Sequence, residues 1–194
     1  MMKPIRMAVA LSAAAMLLGG LAAPAFAADT GSNVAATAGI TAGDRTANLA
    51  GPIAFQAVSA DHNIQSATAQ PTSIEVNDLS ASDAGWNVTV VSSSLVGTSG
   101  AALSLHGTIA GSNLSVASYG TLAVASGDTV GVTTNIVPGS PGQIGSATTL
   151  LKAPVGYGVG DYTQAFNVGL SMPADSLAGD YAGTLTVTIV PAGV

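Results

Sequence analysis

Apolar residues recur at every second position along most of this chain, and that spacing limits what it can fold into. Successive side chains of a strand leave opposite faces, so strict alternation describes a sheet with one face in a core and the other in water. Ile53, Phe55 and Ala57 share one face. Ile74 and Val76 alternate with Ser73, Glu75 and Asn77, and Trp86, Val88 and Val90 with Asn87, Thr89 and Val91. Leu103, Leu105 and Ile109 alternate with Ser104, His106 and Thr108. Further strands are expected over 114–118, 121–125 and 130–136. Phe166, Val168 and Leu170 share a face, as do Tyr181, Leu185, Val187 and Ile189 opposite Thr184, Thr186 and Thr188. Threonine on the outer face favours strand over helix, because a β-branched side chain suits a pleated surface.

Turn residues punctuate the strands at Ser82-Asp83-Ala84-Gly85, Ser126-Gly127-Asp128, Pro138-Gly139-Ser140-Pro141-Gly142 and Leu177-Ala178-Gly179-Asp180. Many short strands with frequent turns predict an all-β fold, a single antiparallel β-sandwich of Ig-like or Greek-key type. No internal repeat or second domain is apparent.

The first residues read differently. Lys3 and Arg6 precede an apolar run from Met7 to Leu21, then Pro24 and Ala25-Phe26-Ala27. That order predicts a signal-peptide helix cut after Ala27. The run is short for a membrane span, which needs about 20 apolar residues, so no stable membrane insertion is expected after cleavage. The predicted organisation is a signal peptide over 1–27, a flexible Gly/Ser/Thr/Ala-rich lead-in over 28–48 and the sandwich over 49–194. No sorting motif or apolar tail follows the last strand, so covalent anchoring is not expected.

Removal of 27 residues leaves 194 − 27 = 167, one domain's worth and enough for a real core. Only Arg45 and Lys152 then face ten acidic residues, a net charge of 2 − 10 = −8. Nucleic acid is excluded as a partner, because phosphate contacts need basic groups. Charged residues make up 7% of the chain against about 25% in ordinary globular proteins. This argues against long surface helices, which need charge to keep their outer faces wet. With no cysteine, neither a disulfide nor thiol chemistry is available.

Catalytic groups do not converge in the sequence. His106 shares strand parity with Ser104 and Thr108, which points it to solvent, and His62 sits beside Asp61 in a polar turn. No Gly-x-Ser-x-Gly elbow is present, so no catalytic residue is assigned and the chain is not expected to be an enzyme. No Asp-x-Asp-x-Asp-Gly loop appears. Asp78 with Asp83, or Asp175 with Asp180, could share an ion, but the plainer reading is carboxylates that cap turns. No metal or cofactor is expected. The ligand-binding candidates are aromatic: Trp86, Tyr157, Tyr162 and Tyr181. Trp86, the sole tryptophan, stands at a strand start beside Val88 and Val90, where a core place between two sheets is favoured over a ligand contact. Tyr157 lies in Pro154-Val155-Gly156-Tyr157-Gly158-Val159-Gly160, a loop.

Three segments resemble the WxL domain, a cell-surface module of Gram-positive bacteria. They are Ile74-Glu75-Val76-Asn77-Asp78-Leu79 with Ala84-Gly85-Trp86-Asn87-Val88-Thr89-Val90, the glycine-rich stretch from Lys152 to Tyr162, and Leu170-Ser171-Met172-Pro173-Ala174 with Ala178-Gly179-Asp180-Tyr181-Ala182-Gly183-Thr184-Leu185-Thr186. The two Trp-x-Leu motifs that name the family stand here as Trp86-Asn87-Val88 and Val187-Thr188-Ile189, the second without tryptophan. The resemblance implies a β-sandwich held noncovalently outside the cell, with cell-wall glycan (peptidoglycan) or other surface proteins as partners. Two other readings of the sequence are a structural subunit of a surface layer or filament and, more remotely, a secreted hydrolase.

Overall fold

The computed structural model describes residues 37–59, 61–103, 107–127 and 135–192. The predicted signal peptide, residues 28–36 of the predicted lead-in, His106 and most of the strand expected over 130–136 lie outside them. Strands dominate and every pairing is antiparallel.

One sheet runs in the order β1 (Arg45–Leu49), β3 (Thr72–Asp78), β11 (Gly160–Met172), β7 (Leu114–Gly127) and β9 (Gly142–Gln143). In it β2 (Gln65–Thr68) continues the β3 side of β11. The ladder breaks between β2 and β3 at Gln70 and Pro71, where proline has no N–H to give. A second sheet runs β13 (Leu185–Pro191), β4 (Trp86–Ser92), β10 (Thr148–Ala153) and β8 (Val137–Pro138). A small third sheet joins β12 (Tyr181–Ala182), β5 (Leu95–Gly97) and β6 (Thr108–Ile109).

The predicted alternation sets which faces meet. β11 buries Tyr162, Gln164, Phe166, Val168 and Leu170, and β3 buries Ile74 and Val76. From the second sheet, β4 sends in Trp86, Val88 and Val90, and β10 adds Leu150, Leu151 and Ala153. These side chains form one hydrophobic cluster, and the Trp86 and Tyr162 rings meet across it with centroids 5.9 Å apart. The result is a sandwich in which the chain crosses from one large sheet to the other between β3 and β4 and again at every step from β7 to β11. Gln164 is the polar exception in that core. Its amide nitrogen donates to the carbonyls of Gly120 and Ala165, both at 2.8 Å. The Tyr119 hydroxyl of β7 donates to the Thr149 carbonyl of β10 at 3.3 Å, and burial holds its pKa above the usual tyrosine range.

Four local expectations are corrected. First, order begins before residue 49, because β1 pairs with β3 along its full length. Arg45 anchors it: Nη2 donates to the Ser80 hydroxyl at 2.9 Å and stands 3.0 Å from Asp78 Oδ2, close enough to pair charges though off the line of a hydrogen bond. Asp78 is fully buried, and its other oxygen accepts the Ser80 N–H at 2.9 Å. Asp78 thus serves an ion pair and a turn rather than sharing an ion with Asp83. Second, of the strand expected from Leu103 to Ile109, Leu103 ends a 3-10 turn over Gly100–Leu103 and only Thr108–Ile109 form a strand, the short β6, while 104–106 lie outside the described residues. Gly97 and Gly107 press so closely on Ala102 that a Cβ on either would overlap its carbonyl. Third, the strands expected at 114–118 and 121–125 are one strand, β7. Its fourteen residues pair with Gly160 to Leu170 of β11, a stretch three residues shorter, so β7 carries three bulges. Fourth, Ile53 and Phe55 are half-buried without forming a strand; a single bridge links Phe55 to Ala69.

Candidate functional site

The four aromatic candidates separate into two places. Trp86 opens β4 and is fully buried. Its indole N–H donates to the Gly158 carbonyl at 2.9 Å. Tyr162 is equally buried, and its hydroxyl donates to the Val159 carbonyl at 2.9 Å. The glycine-rich loop therefore folds over both rings. Gly156, Gly158 and Gly160 adopt φ of 88°, 101° and 136°, a region that favours glycine. Rings with no exposed surface offer no face to a ligand, so Trp86 and Tyr162 hold the sandwich together in this structure. Tyr157 stands on the same loop with 37% of its surface exposed.

Gly158 fixes this arrangement most tightly. A Cβ there would lie 2.5 Å from the Trp86 indole nitrogen. Gly158→Ala is expected to destabilise the fold by roughly 2–3 kcal/mol, from positive-φ strain and overpacking together. A denaturant melt reads this directly, and an unchanged midpoint would contradict the packing.

The two motif triplets lie side by side. Trp86-Asn87-Val88 is on β4 and Val187-Thr188-Ile189 on its neighbour β13, with Ile189 opposite Val88 and Val187 opposite Val90. Val187 and Ile189 are half-buried and pack against the core. A valine at 187 therefore serves an inward-facing position of an edge strand.

A cavity lies at the other end of β4, where β13 begins at Leu185, about 20 Å along the strand from Trp86. It is a cleft of about 560 Å³. The irregular 53–59 segment forms one wall and the loop of 172–183 the other. Phe55, Leu114, Leu170, Met172 and Leu177 give it an apolar lining. Tyr181 belongs here, half-buried, with its hydroxyl donating to the Leu177 carbonyl at 2.7 Å.

Two carboxylates line the same cleft. Asp180 is clamped by Ser99, whose hydroxyl donates to Oδ2 at 2.6 Å and accepts the Asp180 N–H at 2.9 Å. Asp61 starts a tight turn in which its Oδ1 accepts the Asn63 N–H at 2.9 Å. That hydrogen bond, followed by one from the Gln65 side chain, holds the Asp61 pKa below the ordinary 3.8. The group thus stays charged at any pH above that value. No lysine or arginine is among the described lining residues. The sequence placed Asp61 in a polar turn and weighed Asp180 as a turn former or, with Asp175, as half of an ion site; neither was expected in a cleft. The signal it lacked was spatial, since the walls come from segments more than a hundred residues apart. Among the described residues no three His, Asp or Glu come together as metal ligands, and His62 sits exposed in the Asp61 turn.

A family model described as the WxL domain, surface cell wall-binding, matches residues 37–191. The chain belongs to the WxL domain family, a class of cell-surface domains that bind the cell wall. All three segments that carry the resemblance fall inside the match, and its first residue precedes β1, consistent with order starting before residue 49. No curated protein and no solved structure matches the chain.

Proposed function

We propose that the protein is exported by cleavage of residues 1–27 and attaches noncovalently, through residues 37–191, to the peptidoglycan of the wall. The observation that carries this reading is the match of a wall-binding family over that whole span, on an all-β fold. The module binds rather than catalyses. Asp61, Asp78 and Asp180 are committed to a turn, an ion pair and a clamp, and the buried aromatics build the core. No helix among the described residues is long and apolar enough to cross a membrane. The test is co-sedimentation of the purified protein with isolated bacterial walls over a range of concentrations. Saturable pelleting with wall, and none without it, is the expected result; no pelleting with wall contradicts attachment.

One observation favours self-assembly as a second reading. Beyond its short pairing with β9, the outer edge of β7 meets no other strand among the described residues, and Leu114 to Gly127 carries no charge. Such an edge can template further strands. The three bulges of β7 work against this by bending the edge, which ranks the reading second. Concentration-dependent pelleting in the absence of wall would reverse that ranking.

A further inference from the structure

The cleft between the 53–59 segment and the 172–183 loop has the volume of a ligand site, about 560 Å³ within the usual range of roughly 300–1,000 Å³. Its chemistry narrows what can enter. Phe55 and Tyr181 have their rings packed against the core, so neither stands free as a platform for stacking a sugar. The apolar lining that keeps exposed surface, including Ile53, Val58, Met172 and Leu177, is aliphatic and suits small aliphatic side chains. The polar lining includes Asp61 and Asp180, each held in place by donors from its own turn or its neighbour, with no basic side chain to neutralise them.

Elsewhere the cations are few and distant. Arg45 is committed to Asp78, and Lys152 lies on β10 outside the cleft. After residue 27 the chain carries 2 − 10 = −8 charges, a field that draws cations toward any acidic mouth. The Ser176 hydroxyl oxygen in the same lining is buried without a hydrogen-bond partner. Such a group usually has a partner when a site is filled.

We infer that this cleft takes a short aliphatic peptide bearing a free amine, the chemistry that the peptide stems of a bacterial wall present and its glycan strands do not. The inference rests on wall attachment and assigns it to the stems. The aliphatic side chains lie against Met172 and Leu177, and the ammonium meets the carboxylates of Asp61 and Asp180. Binding is therefore salt-sensitive, unlike an uncharged stacking contact.

Competition separates the two parts of the wall. The purified protein is bound to intact wall and challenged with three soluble probes: stem peptides released from that wall by an amidase, the same peptides with their amines acetylated, and the peptide-free glycan strands. Free stem peptides are expected to displace the protein, and the acetylated peptides to do so at least tenfold less well. The glycan strands should leave it bound. Asp61→Asn keeps a side-chain oxygen for the Asn63 N–H, so the turn survives while the charge is lost. It should weaken wall binding about threefold with an unchanged melting temperature. Displacement by glycan strands, or equal displacement by acetylated and free peptides, would overturn the inference and leave wall attachment standing. Failure to bind intact wall at all would overturn attachment itself, and this assignment with it.

Discussion

Trp86→Ala should lower the stability of the domain by about 3–5 kcal/mol. The indole is fully buried where the two sheets meet, in contact with Tyr162 and tied to the Gly158 carbonyl. Its removal leaves a cavity between β4 and the glycine-rich loop and strips the buried Gly158 carbonyl of its donor. A domain of this size holds about 5–15 kcal/mol in total. The loss amounts to roughly 10 °C in melting temperature. Trp86→Phe keeps most of the ring volume and loses the N–H, so it should fall between the two. Lost wall binding in the alanine variant therefore reports unfolding, and binding assays on it need a melt beside them. An unaltered melt would remove Trp86 from the core and return it to the list of ligand contacts.

The second large effect concerns Arg45. Arg45→Ala is expected to cost about 3–5 kcal/mol, because it leaves the Asp78 carboxylate buried without its counter-charge. The guanidinium also joins Ser80 and Ser82 to β1, at 2.9 and 3.4 Å, so the turn after β3 loosens with it. A double variant distinguishes the charge from the contacts. Asp78→Asn keeps an oxygen for the Ser80 N–H and carries no charge, and Arg45→Met keeps an apolar stem against β3. Together they should recover most of the loss, since a buried pair replaced on both sides is often near neutral. Failure of the pair to recover would mean that the hydroxyl contacts, not the charges, hold β1. A chain begun at residue 49 loses the same anchor and should be destabilised in the same way.

β3, β4, β11 and β13 were legible in the sequence because each turns one face inward, and burial follows the alternation residue by residue. β1 was not. Arg45, Ala47 and Leu49 are only half-buried, and the ion pair that secures the strand joins residues 33 positions apart. The 103–109 stretch alternates as a strand should. Where it begins, Leu103 ends a 3-10 turn whose Ala102 is pressed closely by Gly97 and Gly107, a tertiary fact invisible to periodicity. For Trp86 the alternation gave the direction of the side chain, while its depth depended on the loop 72 residues away that covers it. The cleft was the least legible part. Its walls are irregular segments, and each of its acids also satisfies a local turn or clamp, which is all that a short window of sequence displays.

Trp86 is the only tryptophan, so its emission reports one place in the molecule. Titrating the protein with isolated wall while following both the bound fraction and tryptophan quenching by acrylamide tests the central claim, that this is a wall-binding domain whose motif tryptophan builds the fold. The predicted result is saturable binding with an indole that stays shielded from the quencher throughout. Absence of binding, or an indole open to quencher in the free protein and protected as the wall saturates, would contradict it.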